Sequence, residues 1–158
     1  FRIYRDVRFS KDKNPYKTHV GIQFRHEKGK DVHAPGFYLH LEPENVFAAA
    51  GVWHPDSTSL GRIRDAIVEN RSEWKKIFSN KKFSAIYSLT GETLKKPPRG
   101  YDPDFPFISD LKRKDFIGVT SFNEQKTCSP EFIENYGEVC RIAAPFMEFL
   151  TKAVGLEW

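Results

Sequence analysis

Apolar and polar positions alternate along the first fifty residues of the chain. Ile3, Val7 and Phe9 stand against Tyr4, Asp6 and Arg8, with Arg5 interrupting the apolar side. Beyond Ser10–Pro15, Tyr16, Thr18, Val20, Ile22 and Phe24 alternate with Lys17, His19, Gln23 and Arg25. A period of two is what a strand with one buried face requires, because successive side chains point to opposite sides. The Asp, Asn and Pro of the intervening stretch favour a reversal, so the two runs predict a hairpin. Phe37 to Leu41 repeats the pattern, with Tyr38 and His40 facing opposite to Phe37, Leu39 and Leu41. Val46 to Trp53 reads as a fourth strand, and its Ala48-Ala49-Ala50-Gly51 centre predicts a neighbour packed very close. Consecutive strands of this kind predict antiparallel pairing.

The period then changes. Leu60, Ile63, Ile67, Trp74, Ile77 and Phe78 fall on one stripe of a helix that Asp56 or Ser57 can cap. Ser84 to Leu89 predicts a strand and Thr90-Gly91-Glu92 a turn. Lys96-Pro97-Pro98-Arg99-Gly100 opens a proline-punctuated loop through Pro106, of a length associated with function or mobility. Asp115 to Phe122 predicts another strand. Ser129-Pro130 reads as the cap and first residue of a long final helix, its apolar face running from Phe132 to Val154 and Pro145 kinking it. Strands followed by helices, without regular alternation, predict an α+β fold: a mainly antiparallel sheet with two helices packed on one face. No repeat or linker divides residues 1–158, which read as a single domain.

Composition changes this picture little. At 158 residues and 39% hydrophobic content, the chain can close one core without metal or disulfide staples. Fourteen Phe against one Met predict well-defined packing. The longest uncharged apolar stretch, Val46 to Trp53, falls far short of the roughly 20 residues of a membrane helix. Two cysteines, Cys128 and Cys140, make neither a disulfide framework nor a zinc pattern, which points to a reducing, cytoplasmic setting. The net charge of +4 is modest, yet basic residues gather in Arg2–Lys30 and Lys95–Lys114, so an anionic partner is permitted.

The densest polar constellation lies in the predicted hairpin: Arg2, Arg5, Asp6, Arg8, Asp12, Lys13, Tyr16 and Lys17. Arg5 and Arg8 can supply donors, Asp6 can hold the guanidinium groups in orientation, and Lys13, Tyr16 and Lys17 can close a site for a small anionic or phosphorylated ligand. The competing reading is an ion-pair network that fastens strand to strand. The same segment, Arg2-x-x-Arg5-Asp6-x-Arg8-Phe9-x-x-Asp12-Lys13-x-x-Tyr16-Lys17, resembles the signature of the domain of unknown function 2461 family. The likeness continues through Pro35-Gly36-Phe37-Tyr38, Gly51-Val52-Trp53-x-Pro55, the Leu60 to Ile67 helix and Leu94-Lys95-x-Pro97-x-Gly100-Tyr101. It implies bacterial or fungal proteins with a helical segment ahead of the motif, so that the chain as it stands is expected to be without that segment, and it implies no activity, cofactor or residue role.

Other candidates are thinner. His19 and His40 on polar strand faces, and His26 and His33 flanking one loop, match no common zinc spacing, so they read as surface histidines and no metal or cofactor is expected. His54 or Asp6 would be the general base if the chain were a hydrolase or transferase acting on an anionic ligand. Cys128 could gain thiolate character near the final helix, and Cys140 sits on its apolar stripe. Lys95, Lys96, Arg99, Lys112, Arg113 and Lys114, with Tyr101, Phe105 and Phe107 between them, could serve an interaction module for protein or nucleic acid. The interleaved Asp102, Asp104, Asp110 and Asp115 speak against nucleic acid. Trp53, Trp74 and Trp158 read as packing anchors.

Overall fold

A computed structural model describes residues 4, 8–9, 11, 13–27 and 34–158. Strands β1 (Val20–Arg25), β2 (Gly36–Leu41), β3 (Val46–Val52), β4 (Ser88–Thr90) and β5 (Phe116–Phe122) form one sheet in the order β1-β2-β3-β5-β4. Every pairing in it is antiparallel, as the run of consecutive strands predicts. Helices α1 (Ser57–Glu69), α2 (Arg71–Ser79), α3 (Lys81–Ile86), α4 (Ile108–Leu111), α5 (Glu124–Thr127) and α6 (Phe132–Ala153) complete the described elements.

One face of the sheet is the floor of the core. Leu39, Val46, Ala48, Ala50, Val52 and Phe116 point into it and are all buried. Helix α6 packs against β3, where Ala48 and Ala50 present only methyl groups and Ala143 of the helix is fully buried, so the backbones can approach closely. Trp74 of α2 is fully buried at the centre, its ring 4.8 Å from Phe78, 5.0 Å from Phe149 and 6.0 Å from both Phe116 and Phe146. Its indole N–H, too deep to reach water, donates to Asp110 Oδ2 at 2.9 Å. The many phenylalanines of the composition largely meet here.

The α+β class holds, but among the described residues six helices replace the expected two. Asn70 divides the predicted first helix: its side-chain Nδ2 and backbone N–H both donate to the Ala66 carbonyl, closing α1, and α2 restarts at once. Ile63, Ile67, Trp74 and Ile77 nonetheless face one core, which is why they read as a single stripe. Asp56 is the cap, its carboxylate accepting from the N–H groups of Thr58 at 2.8 Å and Ser59 at 3.0 Å. The expected strand Ser84–Leu89 is divided: its first half ends α3, started by Asn80 accepting from the Lys82 N–H, Tyr87 closes that helix, and Ser88–Thr90 pairs in the sheet. Ser129 does not cap the final helix. Its hydroxyl turns back to the Lys126 carbonyl, closing the turn after α5, and α6 begins at Phe132 and runs on through Pro145.

The N-terminal hairpin is only partly described. Tyr4 and Tyr16 form an antiparallel bridge with their rings 5.8 Å apart, as a hairpin requires. Most of its first strand lies outside the described residues. Phe9 is not on a buried face, being 96% exposed, and the second strand starts at Val20 rather than Tyr16. β1 is an edge strand two places away from the strand that α6 covers, so Ile22 and Phe24 stay substantially exposed, with Tyr136 reaching Phe24 at 6.0 Å.

Candidate functional site

The opposite face of the sheet is hollow at its middle, and the register explains why. One row across all five strands reads Arg25, Gly36, Gly51, Ile117 and Thr90. The next reads Gln23, Tyr38, Ala49, Val119 and Ser88, and a third reads Gly21, His40, Phe47 and Ser121. Two glycines side by side, with an alanine beside them, remove the side chains from the centre of the face. Neither glycine can be filled: a Cβ at Gly51, where φ is 138°, would stand 1.9 Å from the Phe116 carbonyl oxygen, and one at Gly36 would stand 2.6 Å from that of Phe24. The result is a cavity of about 540 Å³, walled by Tyr38, Phe47, Trp53, Ile117 and Val119, with Gln23 and Thr90 as polar groups among its lining. Both its size and its mixture of apolar walls with few polar groups suit a small ligand.

A hydrogen-bonded line runs along β2 at the edge of this cavity. Tyr38 Oη lies 3.0 Å from His40 Nδ1, and His40 Nε2 lies 3.2 Å from Glu42 Oε2. The tautomer with its proton on Nε2 satisfies both bonds, donating to the carboxylate and accepting from the phenol. The other Glu42 oxygen accepts from the Thr18 hydroxyl at 2.9 Å, and Asn45 Nδ2 donates to Oε2 at 3.2 Å. These bonds, that from His40 foremost, hold the Glu42 carboxyl down at about 2. Burial, and after it the Glu42 charge, pushes the Tyr38 phenol up. Gly21 makes the line possible, because a Cβ there would come within 2.6 Å of the Tyr38 hydroxyl. His40 also lies between two rings, His19 on one side and Phe47 on the other, each at 4.7 Å. It is therefore not the surface histidine that its polar-face position suggested: it is 9% exposed.

Of the residues the sequence singles out, Arg5 and Asp6 lie outside the described residues, as do Arg2, Asp12 and His33. Arg8, Lys13, Tyr16 and Lys17 are exposed, and Tyr16 spends its ring on Tyr4. His54 is not poised against Asp56, whose carboxylate caps α1. It turns the corner after β3 at φ 48°, its N–H donating to the buried Asp115 at 2.8 Å. Trp74 is the packing anchor expected, but Trp53 and Trp158 are more than half exposed, and Trp53 lines the cavity. The proline-punctuated loop is pinned: Tyr101 donates to Asp65 at 2.7 Å, and Tyr101, Phe105 and Phe107 pack against the core rather than standing out for base stacking. Cys128 and Cys140 are both unbridged, and burial pushes the Cys140 thiol up. Among the described residues no helix is long and apolar enough to cross a membrane.

The glycine pair that makes the cavity was invisible in the sequence. Gly36 and Gly51 are fifteen positions apart and become neighbours only through the β2–β3 register. The alternation did place Tyr38 and His40 together on the face that proves to carry the cavity.

Compared with known families, the chain matches over residues 1–149 the model described as conserved hypothetical protein, DUF2461. No curated protein and no solved structure matches it.

Proposed function

We propose that this chain, which belongs to the domain of unknown function 2461 family, is a binding domain for a small anionic or phosphorylated ligand seated in the hollow of the open sheet face. The observation that carries the reading is the built cavity, fixed by backbone at Gly36 and Gly51 and walled by aromatic and aliphatic side chains. Arg25 stands in the same row as the two glycines, next to Gly36, and Thr90 closes the other end of that row. A ligand in the hollow would meet an apolar floor and the Thr90 hydroxyl, and Arg25, on the edge strand just outside the lining, is the nearest cation along that row. Of the basic segment expected to hold the anion, Arg8, Lys13 and Lys17 are described, are exposed, and add positive charge ahead of β1. The segment runs into the sheet at Thr18 and His19, where Thr18 is tied to Glu42 and His19 rests on His40.

The test is thermal shift of the purified chain against phosphates, nucleotides, sugar phosphates and carboxylates, alongside Ala49→Leu to fill the hollow, and Arg25→Ala and Arg8→Ala to remove charge. A ligand at a hundred times its dissociation constant stabilises by about 2.7 kcal/mol. For a chain of this size that raises the melting temperature by roughly 5–10 °C. One ligand class should give such a shift, Ala49→Leu should abolish it and the arginine variants should reduce it. A shift that persists in Ala49→Leu, or no shift from any class in a folded protein, would overturn the reading.

A further inference from the structure

We propose that His19, His40 and Glu42 form a binding site for a divalent transition-metal cation of the zinc class, at the end of the open sheet face beyond the cavity. One ligand atom from each of the three lies within 4.8 Å of the others. His40 Nε2 and Glu42 Oε2 are 3.2 Å apart, close to the roughly 3.3 Å between ligand atoms of a tetrahedral ion bonded at about 2.0–2.1 Å. Two imidazoles and a carboxylate are the donor set that zinc and its neighbours prefer, and three protein ligands leave a fourth position open.

The atoms around these ligands are what separates the cluster from a chance gathering. Metal-bound histidines characteristically have their second ring nitrogen held by a neighbouring group, which fixes ring and tautomer, and bound carboxylates are likewise held. Here His40 Nδ1 is paired with Tyr38 Oη at 3.0 Å, and the remaining Glu42 oxygen accepts from Thr18 at 2.9 Å. With an ion on Nε2, Nδ1 carries the proton and donates to Tyr38, so the same contact persists with its direction reversed. His40 is clamped by Phe47 and nearly buried, which fixes one ligand in advance. His19 is half-buried just ahead of the edge strand, with its ring 23° from parallel to His40. Ligation needs that ring to turn out of the stack, and its place at the sheet edge allows the movement. The site shares Tyr38 and Phe47 with the cavity wall, but its three ligands lie outside the lining and it uses neither Arg25 nor the glycine hollow, so it stands or falls apart from the anion reading.

The experiment is calorimetric titration of ZnCl2 into the metal-free chain, with His19→Ala, Glu42→Gln and Tyr38→Phe, and with His54→Asn as a histidine change away from the cluster. Melting of each variant without metal establishes that it is folded. The expected result is one ion per chain, bound at least about tenfold more weakly by His19→Ala and Glu42→Gln, and about 10–100-fold more weakly by Tyr38→Phe. His54→Asn should leave it unchanged. Cobalt in place of zinc should give the intense visible bands of a four-coordinate ion, lost in His19→Ala. Should Glu42→Gln fail to fold, His19→Ala and Tyr38→Phe still decide the matter. No saturable binding, or binding equally tight in those two variants, would show that the stacked rings serve packing alone and overturn the site.

Discussion

Asp115 is a carboxylate with 2% of its surface exposed, and two backbone groups account for its position. Its Oδ1 accepts from the N–H of His54 at 2.8 Å and its Oδ2 from that of Glu92 at 3.0 Å. One side chain at the start of β5 therefore pins both the corner after β3 and the turn after β4, where Gly91 at φ 105° has no room for a Cβ beside it. Hydrogen bonds to a charged group contribute about 1.5–3 kcal/mol each, so Asp115→Ala should cost about 3 kcal/mol or more, measured by urea unfolding. A loss under about 1 kcal/mol would mean that water replaces the carboxylate. The sequence showed little of this, since it read Asp115 as one of several charges diluting a basic loop. Alternation does reveal which side of a strand a residue faces, and Tyr38 and His40 were correctly paired by it. What a residue meets across strands depends on register, and so the stack of His19, His40 and Phe47 could not be read in advance.

Among elements, α6 raises a local conflict. Pro145 sits exposed in the interior of a 22-residue helix, where it offers no N–H to the Arg141 carbonyl and its ring crowds the preceding turn. Proline in a helix interior is disfavoured by about 3 kcal/mol relative to alanine. Because the helix continues across it, Pro145→Ala should stabilise the chain by about 1–3 kcal/mol, read from the denaturant midpoint at unchanged slope. A destabilised variant would mean that the core under Ala143, Phe146 and Met147 depends on a bend the proline sets. The periodic stripe made α6 legible from end to end, apart from its cap. The first helix was legible as a face but not as a length: periodicity reports which side is buried and is blind to a one-residue interruption such as Asn70. The short α3 read as a strand because Ala85, Tyr87 and Leu89 alternate with Ser84 and Ser88 as a strand would, while Phe83, Ile86 and Tyr87 share a helix face over the same few residues.

For the molecule as a whole, Glu42 is one tie between the N-terminal segment and the sheet among the described residues, through Thr18, His40 and Asn45. Its carboxyl is drawn from an ordinary 4.5 to about 2 in the folded state. A depressed folded value means that the contribution is fully present above about 4.5 and is lost as pH falls towards about 2. The melting temperatures of the chain and of Glu42→Gln should thus differ at neutral pH and converge on acidification through that window. A difference that is independent of pH would place the effect in shape rather than charge. Fold class and antiparallel pairing could be read from the strand run alone, but strand order could not. β5 comes last in the sequence and lies between β3 and β4. That order has a consequence during synthesis. As the chain emerges from the ribosome, β1, β2 and β3 can zip together as a local meander while the far side of β3, apolar along Val46 to Val52, waits for a partner nearly seventy residues downstream. Until Phe116–Phe122 slots in, the nascent protein carries a bare strand edge, the kind of surface on which unfinished chains stick to one another. Its vulnerable moment is the interval before the fifth strand arrives, and a chaperone that helps this protein has that edge to shield.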